Sequence, residues 1–533
     1  MKKSILILIL SLILIIGISF TAFGAQKEIS WQIGTEPPSL DPALATDSTS
    51  IDMVENLFLG LTDLAYDIYT SKTTVMPELA TDWEVSEDGL VWAFHMRKDV
   101  VWSDGKPVTA HDIEYAVRRT CDPATASDYA YVLYIIKGAK EVNTGEITDL
   151  SHIGVKAVDD YTVQFALNHP AGYFPGIAGM WVARPVPKWA IEKYGDKWTE
   201  AENIVTNGPY LLKEWKHEDE IVMAKNPKFY DADKVDIDIV RSIMVLEDST
   251  AMAMYEAGEL DSTPCPLEDT DRVKADPVLS KEYVNIPDTC TYYYGFNNTK
   301  PPFDNVLVRK AFSAAINRQA LIDFVLKGGQ IPATTFTCPG IFGHIPPAEG
   351  VGIGYDPEAA KKYLADAGYP GGKGLPEITL MFNSSEAHSK IAQAIQQMWK
   401  ETLGVEVNVI NQEWKVYLQT LSEDAPQIYR LGWCADYADA NNWVYENFHS
   451  TDSDNNPKWS NAEFDRVVEQ AARESDPAKR YELYKRSEQI LCEEEAAIAP
   501  IYFYMLSRMC KPYLQRTYSP LGGEHFDEWK IVE

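Results

Sequence analysis

Apolar positions along this chain follow two repeats, and one gives way to the other near residue 290. Before that point alternation of period two dominates. Val91, Ala93 and His95 alternate with Trp92, Phe94 and Met96, and residues 162–167 (TVQFAL) repeat the pattern, as half-buried strands do. Trp102 opens the turn WSDGKP, with Asp104-Gly105 at its tip. Residues 31–34 (WQIG) and the turn-rich TEPPSLDP precede this region. The pattern predicts a β-rich portion with sparse helices as far as about residue 187.

After residue 290 the period lengthens. Asp304 reads as the N-cap of a helix running to Lys327 and closed by Gly328 and Gly329, with Ala311, Phe312, Ala315 and Ile316 at helical spacing. Asp356-Pro357 opens another helix, ended by Gly368. Next come a strand at 378–382 (ITLMF), a helix from about Ser385 to Leu403, and a strand at 405–410 (VEVNVI). A helix starting near Trp414, a strand at 427–433 (QIYRLGW), helices near 461–474 and 477–495, and a buried strand at 498–505 (IAPIYFYM) complete the series. Strands separated by helices of this length predict a βαβ-type lobe beside the β-rich one. No repeat of solenoid period is present.

Length and charge narrow the picture. The 533 residues exceed what one core holds, so two or three domains are expected. Lys2 and Lys3, an apolar run from Ile5 to Ile16 and small residues at Ala22, Gly24 and Ala25 make the three-part pattern of a secretory signal peptide over residues 1–25. No Cys stands near the cleavage region for a lipid anchor. The net charge of −31 becomes −33 without Lys2 and Lys3, which excludes nucleic acid or an anionic membrane as a partner through bulk electrostatics. The expectation is an exported, periplasmic, monomeric protein.

The familiar catalytic signatures are missing. There is no G-x-x-x-x-G-K-[ST], H-E-x-x-H, G-x-S-x-G or EF-hand loop, and GVGIG (350–354) and GGKG (371–374) lack dinucleotide spacing. Neither the nine histidines nor the seven cysteines form a metal-ligand spacing, so no metal and no cofactor are expected. Cys434, His388 and Asp436 could be imagined as nucleophile, base and orienting acid of a hydrolase. The simpler readings make Cys434 a disulfide or core thiol and Asp436 a structural carboxylate. Asp436 stands between Trp433 and Tyr437 in YRLGWCADYADA (429–440), where a carboxylate is costly to bury without a cation.

Several stretches together resemble a known family: LATDWEVSEDGLVWAFHMRKDVVWSDGKPVTAHD (79–112), NIVTNGPY (203–210), CTYYYGFNNTKPPFDNVLVRKA (290–311), INQEWKVYL (410–418) and GWCADY (432–437). They are similar to the oligopeptide-binding proteins of ABC importers, extracellular solute-binding protein family 5, over essentially the whole chain from about Ile33. The resemblance implies an α/β fold with mixed sheets and two lobes that close on the ligand. It implies three domains: 26–58 with 188–289 and 505–533; 59–187; and 290–504. It also implies an extended peptide of about two to five residues as ligand, delivery to the permease subunits of an ABC importer, and no catalysis.

Site residues follow by the same resemblance. Asp436 would take the peptide's α-ammonium. Arg430 and His388 would meet the carboxylate of short peptides, and Lys327, displaced by one position, that of longer ones. Gly432 and Cys434 would supply main-chain bonds, and Tyr129, Asn383, Trp414, Trp433 and Tyr504 would line the cleft. Cys290 and Cys434 would pair as a disulfide. The chain departs from the family pattern at Met180, Leu421, Cys265 and Thr46, which predicts less charged side-chain pockets. A same-fold receptor for an oligosaccharide, a nickel complex or haem is the alternative.

Overall fold

The computed structural model describes residues 26–67, 72–518 and 523–532; the expected signal peptide lies outside them. Two long strands, Tyr283–Phe296 and Ile498–Cys510, run antiparallel through the middle of an eleven-stranded mixed sheet. Their pairing slips between Pro287 and Thr291. On one side of the slip, Ile498–Cys510 also pairs with Ser262–Pro264, which leads on to the parallel strands Glu28–Ile33 and Ile239–Met244. On the other side, Tyr283–Phe296 pairs with Ile428–Cys434, then Thr379–Asn383 and Asn408–Gln412. One sheet therefore serves both lobes, and its neighbours change where the long strands change register.

A separate four-stranded antiparallel sheet holds Ala80–Val85, Val91–Met96, Thr162–Ala166 and Val155–Asp159. Its alternation is as the sequence predicts: Trp92, Phe94 and Met96 are buried, while Val91, Ala93 and His95 remain partly exposed. This region is less β-rich than expected. The helix Ala110–Cys121 packs on the sheet, held at its start by a capping box in which Thr109 N–H donates to Asp112 at 2.8 Å. Phe174–Gly179 adds a further helical turn.

The second lobe follows the expected alternation with three corrections. The helix expected from Asp304 to Lys327 is capped instead by Asn305, whose Oδ1 accepts from Leu307 N–H at 2.9 Å, and ends at Ala314. Asn317 then caps a new turn by accepting from Ala320 N–H, since its side chain competes with the continuing helix for backbone donors. Ala311, Phe312, Ala315 and Ile316 are all buried, so the face was legible although the break was not. The strand expected at 405–410 forms as Asn408–Gln412, where Thr379–Asn383 offers a parallel partner. The strand expected at 498–505 continues to Cys510, because after the slip it gains the first half of Tyr283–Phe296 as partner. Among the described residues no helix is long and apolar enough to cross a membrane.

Candidate functional site

The strand Ile428–Cys434 forms the floor of the site. Ala435 N–H donates to Thr289 C=O at 3.1 Å, so by the alternation of an antiparallel ladder the odd-numbered residues turn their peptide groups to Tyr283–Phe296. The groups of Gly432 and Cys434 then point the other way. On that side Thr379–Asn383 pairs only as far as Tyr429. With the Arg430 carbonyl taken by the Tyr417 hydroxyl, residues 432–434 present a short open edge, on which Gly432 and Cys434 offer their N–H and C=O groups. A Cβ at Gly432 would lie 3.0 Å from Tyr504 Oη and 3.3 Å from Arg430 Nη2, so glycine keeps this edge approachable.

At one end of the edge stands Arg430, buried and without an ion pair among the described residues. Its Nη1 donates to Asn383 Oδ1 at 3.1 Å, its Nη2 to Tyr504 Oη, and its guanidinium lies 4.6 Å from the centre of the Tyr292 ring. Nε has no hydrogen-bond partner. His388 packs against the same Tyr292 ring at 5.5 Å. Burial, and then Arg430, hold the imidazole well below its usual range, so it is neutral here, and its Nδ1 is unpartnered. The result is a fixed cation among neutral groups, with donors left over. Such a site suits a carboxylate.

At the other end is Asp436. Asn442 Nδ2 donates to its Oδ2 at 2.8 Å and Tyr129 Oη at 3.2 Å, while Asn442 Oδ1 accepts Asp436 N–H at 2.9 Å. No cation pairs with it among the described residues. Burial pushes its carboxyl up to about 7. Trp433 stacks on Tyr129 at 6.3 Å with nearly parallel rings, which joins the floor strand to the region of the four-stranded sheet.

The remaining expected residues are placed as follows. Cys434 is bonded to Cys290, directly opposite it in the ladder with Cα atoms 4.0 Å apart, so its sulfur is not a free nucleophile. Trp414 is half-buried, 6.0 Å from Tyr417, whose hydroxyl donates to Arg430 C=O. Lys327 already has an ion-pair partner: its Nζ pairs with Asp271 at 2.5 Å, and its backbone turns into the left-handed region at φ 56°. Met180 and Leu421 are buried and apolar, and Cys265 is a buried thiol. Asn442 and Tyr292 were not foreseen. Asn442 follows Asp436 in an irregular turn with no periodic signal, whereas Tyr292 could have been found from the ladder, in which it faces Gly432. Spacing along the chain also gave no hint of Glu55, Asp63 and His525, whose ligand atoms lie within 4.8 Å of one another; Glu55 is already paired with Arg184.

The family model for bacterial extracellular solute-binding proteins, family 5, matches residues 74–455. The chain belongs to this family. It is 37% identical to the oligopeptide-binding protein OppA of Bacillus subtilis, over 98% of each chain. Among family 5 structures, the murein tripeptide binding protein MppA of Escherichia coli superposes with a TM-score of 0.88 at 33% identity, over 96% of this chain and 99% of that one. Against the unliganded open form of MppA the score falls to 0.67. The Haemophilus influenzae OppA complex with RPPGFSPFR matches at 0.86 and 32% identity, over 96% of this chain and 99% of that one. The lobes of this family 5 member are therefore closed, and bonds span the closure: Lys140 to Asp452 at 2.6 Å, and Ser249 Oγ to Glu386 at 2.8 Å.

Proposed function

We propose that this protein is the substrate-binding component of an ABC-type oligopeptide importer, holding an extended peptide between its lobes and releasing it to a membrane permease. One observation carries the reading. Among the described residues, a half-buried carboxylate without a cation and a buried guanidinium without an anion stand at opposite ends of a bare strand edge. The two termini of a peptide supply both missing charges, and its main chain supplies the missing strand, as in β-augmentation. Asp436 and Arg430 are six positions apart, at most about 20 Å along an extended chain, so both anchors can be used by peptides of up to about six residues. The relative crystallised with a nine-residue peptide indicates that the fold also admits ligands longer than the two to five residues expected from the resemblance. A sugar, nickel complex or haem would leave one or both charges unanswered. The imagined nucleophile Cys434 is held in the disulfide, and the reading we propose is binding without turnover. Export to the periplasm, a monomeric state and the three-domain division belong to the same proposal.

Calorimetry with Ala-Ala-Ala, together with mass spectrometry of ligand released on denaturation, tests this. Binding of the free tripeptide and recovery of peptides are expected; recovery of only a non-peptide solute, with no tripeptide binding, overturns it. Within that experiment the carboxylate end gives a second result. Amidating the tripeptide's carboxyl group, or replacing Arg430→Met, is expected to weaken binding about 10- to 100-fold, since a hydrogen bond to a charged group contributes roughly 1.5–3 kcal/mol. If amidation changes nothing, Arg430 is structural.

A further inference from the structure

Beside Asp436, on the side of the disulfide, lies a cavity of about 220 Å³. Four carboxylates line it, Asp52, Asp288, Asp436 and Glu524, and one guanidinium, Arg508. Glu524 is answered: Arg516 pairs with it from behind and Arg508 Nη2 lies 3.7 Å away. Asp52 accepts Glu524 N–H at 3.0 Å and Asp288 accepts Thr289 N–H at 2.8 Å, but neither has an ion-pair partner within 4 Å among the described residues. Burial, and then Glu524, push Asp52 up to about 8, and burial pushes Asp288 up to about 6, as for carboxyls short of cations.

From this cavity we propose that the amino-terminal end of the ligand, its first or second residue, carries a cationic side chain, lysine or arginine, seated between Asp52 and Asp288. The inference rests on the peptide reading above. The charge balance supports it: when cations enter, the raised carboxyls give up their protons, four carboxylates then face two guanidiniums, the α-ammonium on Asp436 offsets one of the two surplus charges, and one remains for a side chain. The volume fits a long, thin chain. The rival is an acidic side chain on Arg508, whose Nε and Nη1 are buried without partners. Placing it there would add a third negative charge to a surplus of two, before the α-ammonium is counted. The pocket thus departs from the apolar character that Met180 and Leu421 suggest for the others.

Titration calorimetry on the full-length mature protein should compare Lys-Ala-Ala, Ala-Lys-Ala, Ala-Ala-Lys, norleucine-Ala-Ala and Glu-Ala-Ala with Ala-Ala-Ala. Lysine at position one or two is expected to bind about tenfold or more tighter than norleucine, and glutamate weaker. Ala-Ala-Lys reports the general attraction of an acidic protein for a cation, and it should gain much less. Asp288→Asn should abolish the lysine preference and leave Ala-Ala-Ala within about twofold; Asp52→Asn serves if that variant does not fold. Equal binding of lysine and norleucine peptides, a preference unaltered by both variants, or tighter binding of Glu-Ala-Ala overturns the inference while the peptide reading stands. Failure of every tripeptide, Ala-Ala-Ala included, overturns both.

Discussion

Asp436→Asn is expected to lower affinity for a free tripeptide on the order of a hundred- to several-thousand-fold. Each main-chain bond contributes only about 1 kcal/mol net, because the ligand group was bonded to water beforehand. The buried ion pair behaves differently: removing one partner leaves the other unpaired and costs roughly 3–5 kcal/mol. N-acetylation of the peptide removes the opposite charge and should cost about as much. The two changes together should cost far less than their sum, the signature of direct partners in a double-mutant cycle.

The pH profile gives an independent check. The α-ammonium pairs with the carboxylate and not with the acid, so the free receptor must lose the Asp436 proton on binding. With that carboxyl up at about 7, affinity falls as pH drops below 7, by up to about tenfold per unit. Above about 8 the free peptide's own amine loses its proton and affinity falls again. A maximum between about pH 7 and 8 is expected, and Asp436→Asn should flatten the acidic limb. If N-acetylation leaves affinity unchanged, Asp436 is a structural carboxylate.

The second large effect is on stability. The Cys290–Cys434 disulfide joins residues 144 apart in sequence. A closed loop of that length reduces the freedom of the unfolded chain by an amount equivalent to on the order of 4–5 kcal/mol, an upper value in the chain-entropy model. Replacing both cysteines by Ala should lower the thermal midpoint by several degrees, and a reductant should do the same to the unmodified protein but not to the variant. The other five cysteines are buried thiols. Equal midpoints with and without reductant would show that the bridge contributes nothing. Because Cys434 stands two residues before Asp436, peptide affinity should drop in the variant as well.

Much of this architecture was legible in the sequence, for local reasons. Alternation at 91–96 and helical spacing at Ala311, Phe312, Ala315 and Ile316 each report burial of one face, and both faces are buried as read. Element ends were less legible, because they depend on partners distant in sequence. Asn408–Gln412 starts where Thr379–Asn383 can receive it, and the last long strand runs to Cys510 because it has a second partner beyond the slip. Of the site, Asp436 stood out in the sequence as a carboxylate between Trp433 and Tyr437, and its role as partner of an α-ammonium came from resemblance alone. The unpaired state of Arg430 could not be read, since it consists of what Asn383, Tyr504 and Tyr292 leave unsatisfied in three dimensions. Asn442, fully buried and bonded to both the carboxylate and the N–H of Asp436, carries no periodic mark in the sequence.

The open edge at residues 432–434 has a consequence for the protein in its crowded compartment. Bare strand edges are templates for other chains, and proteins generally blunt them with charge, brevity or cover. This edge cannot be permanently blunted, because pairing with a foreign backbone is its task. Its safeguards are that it is short, that a charged Arg430 precedes it, and that Tyr129 caps Trp433 beside it when the lobes close. A receptor held open by mutation would keep the edge in view of its neighbours. Self-association of such a protein, reversed by adding tripeptide, would be the mark of a sheet that its cargo completes.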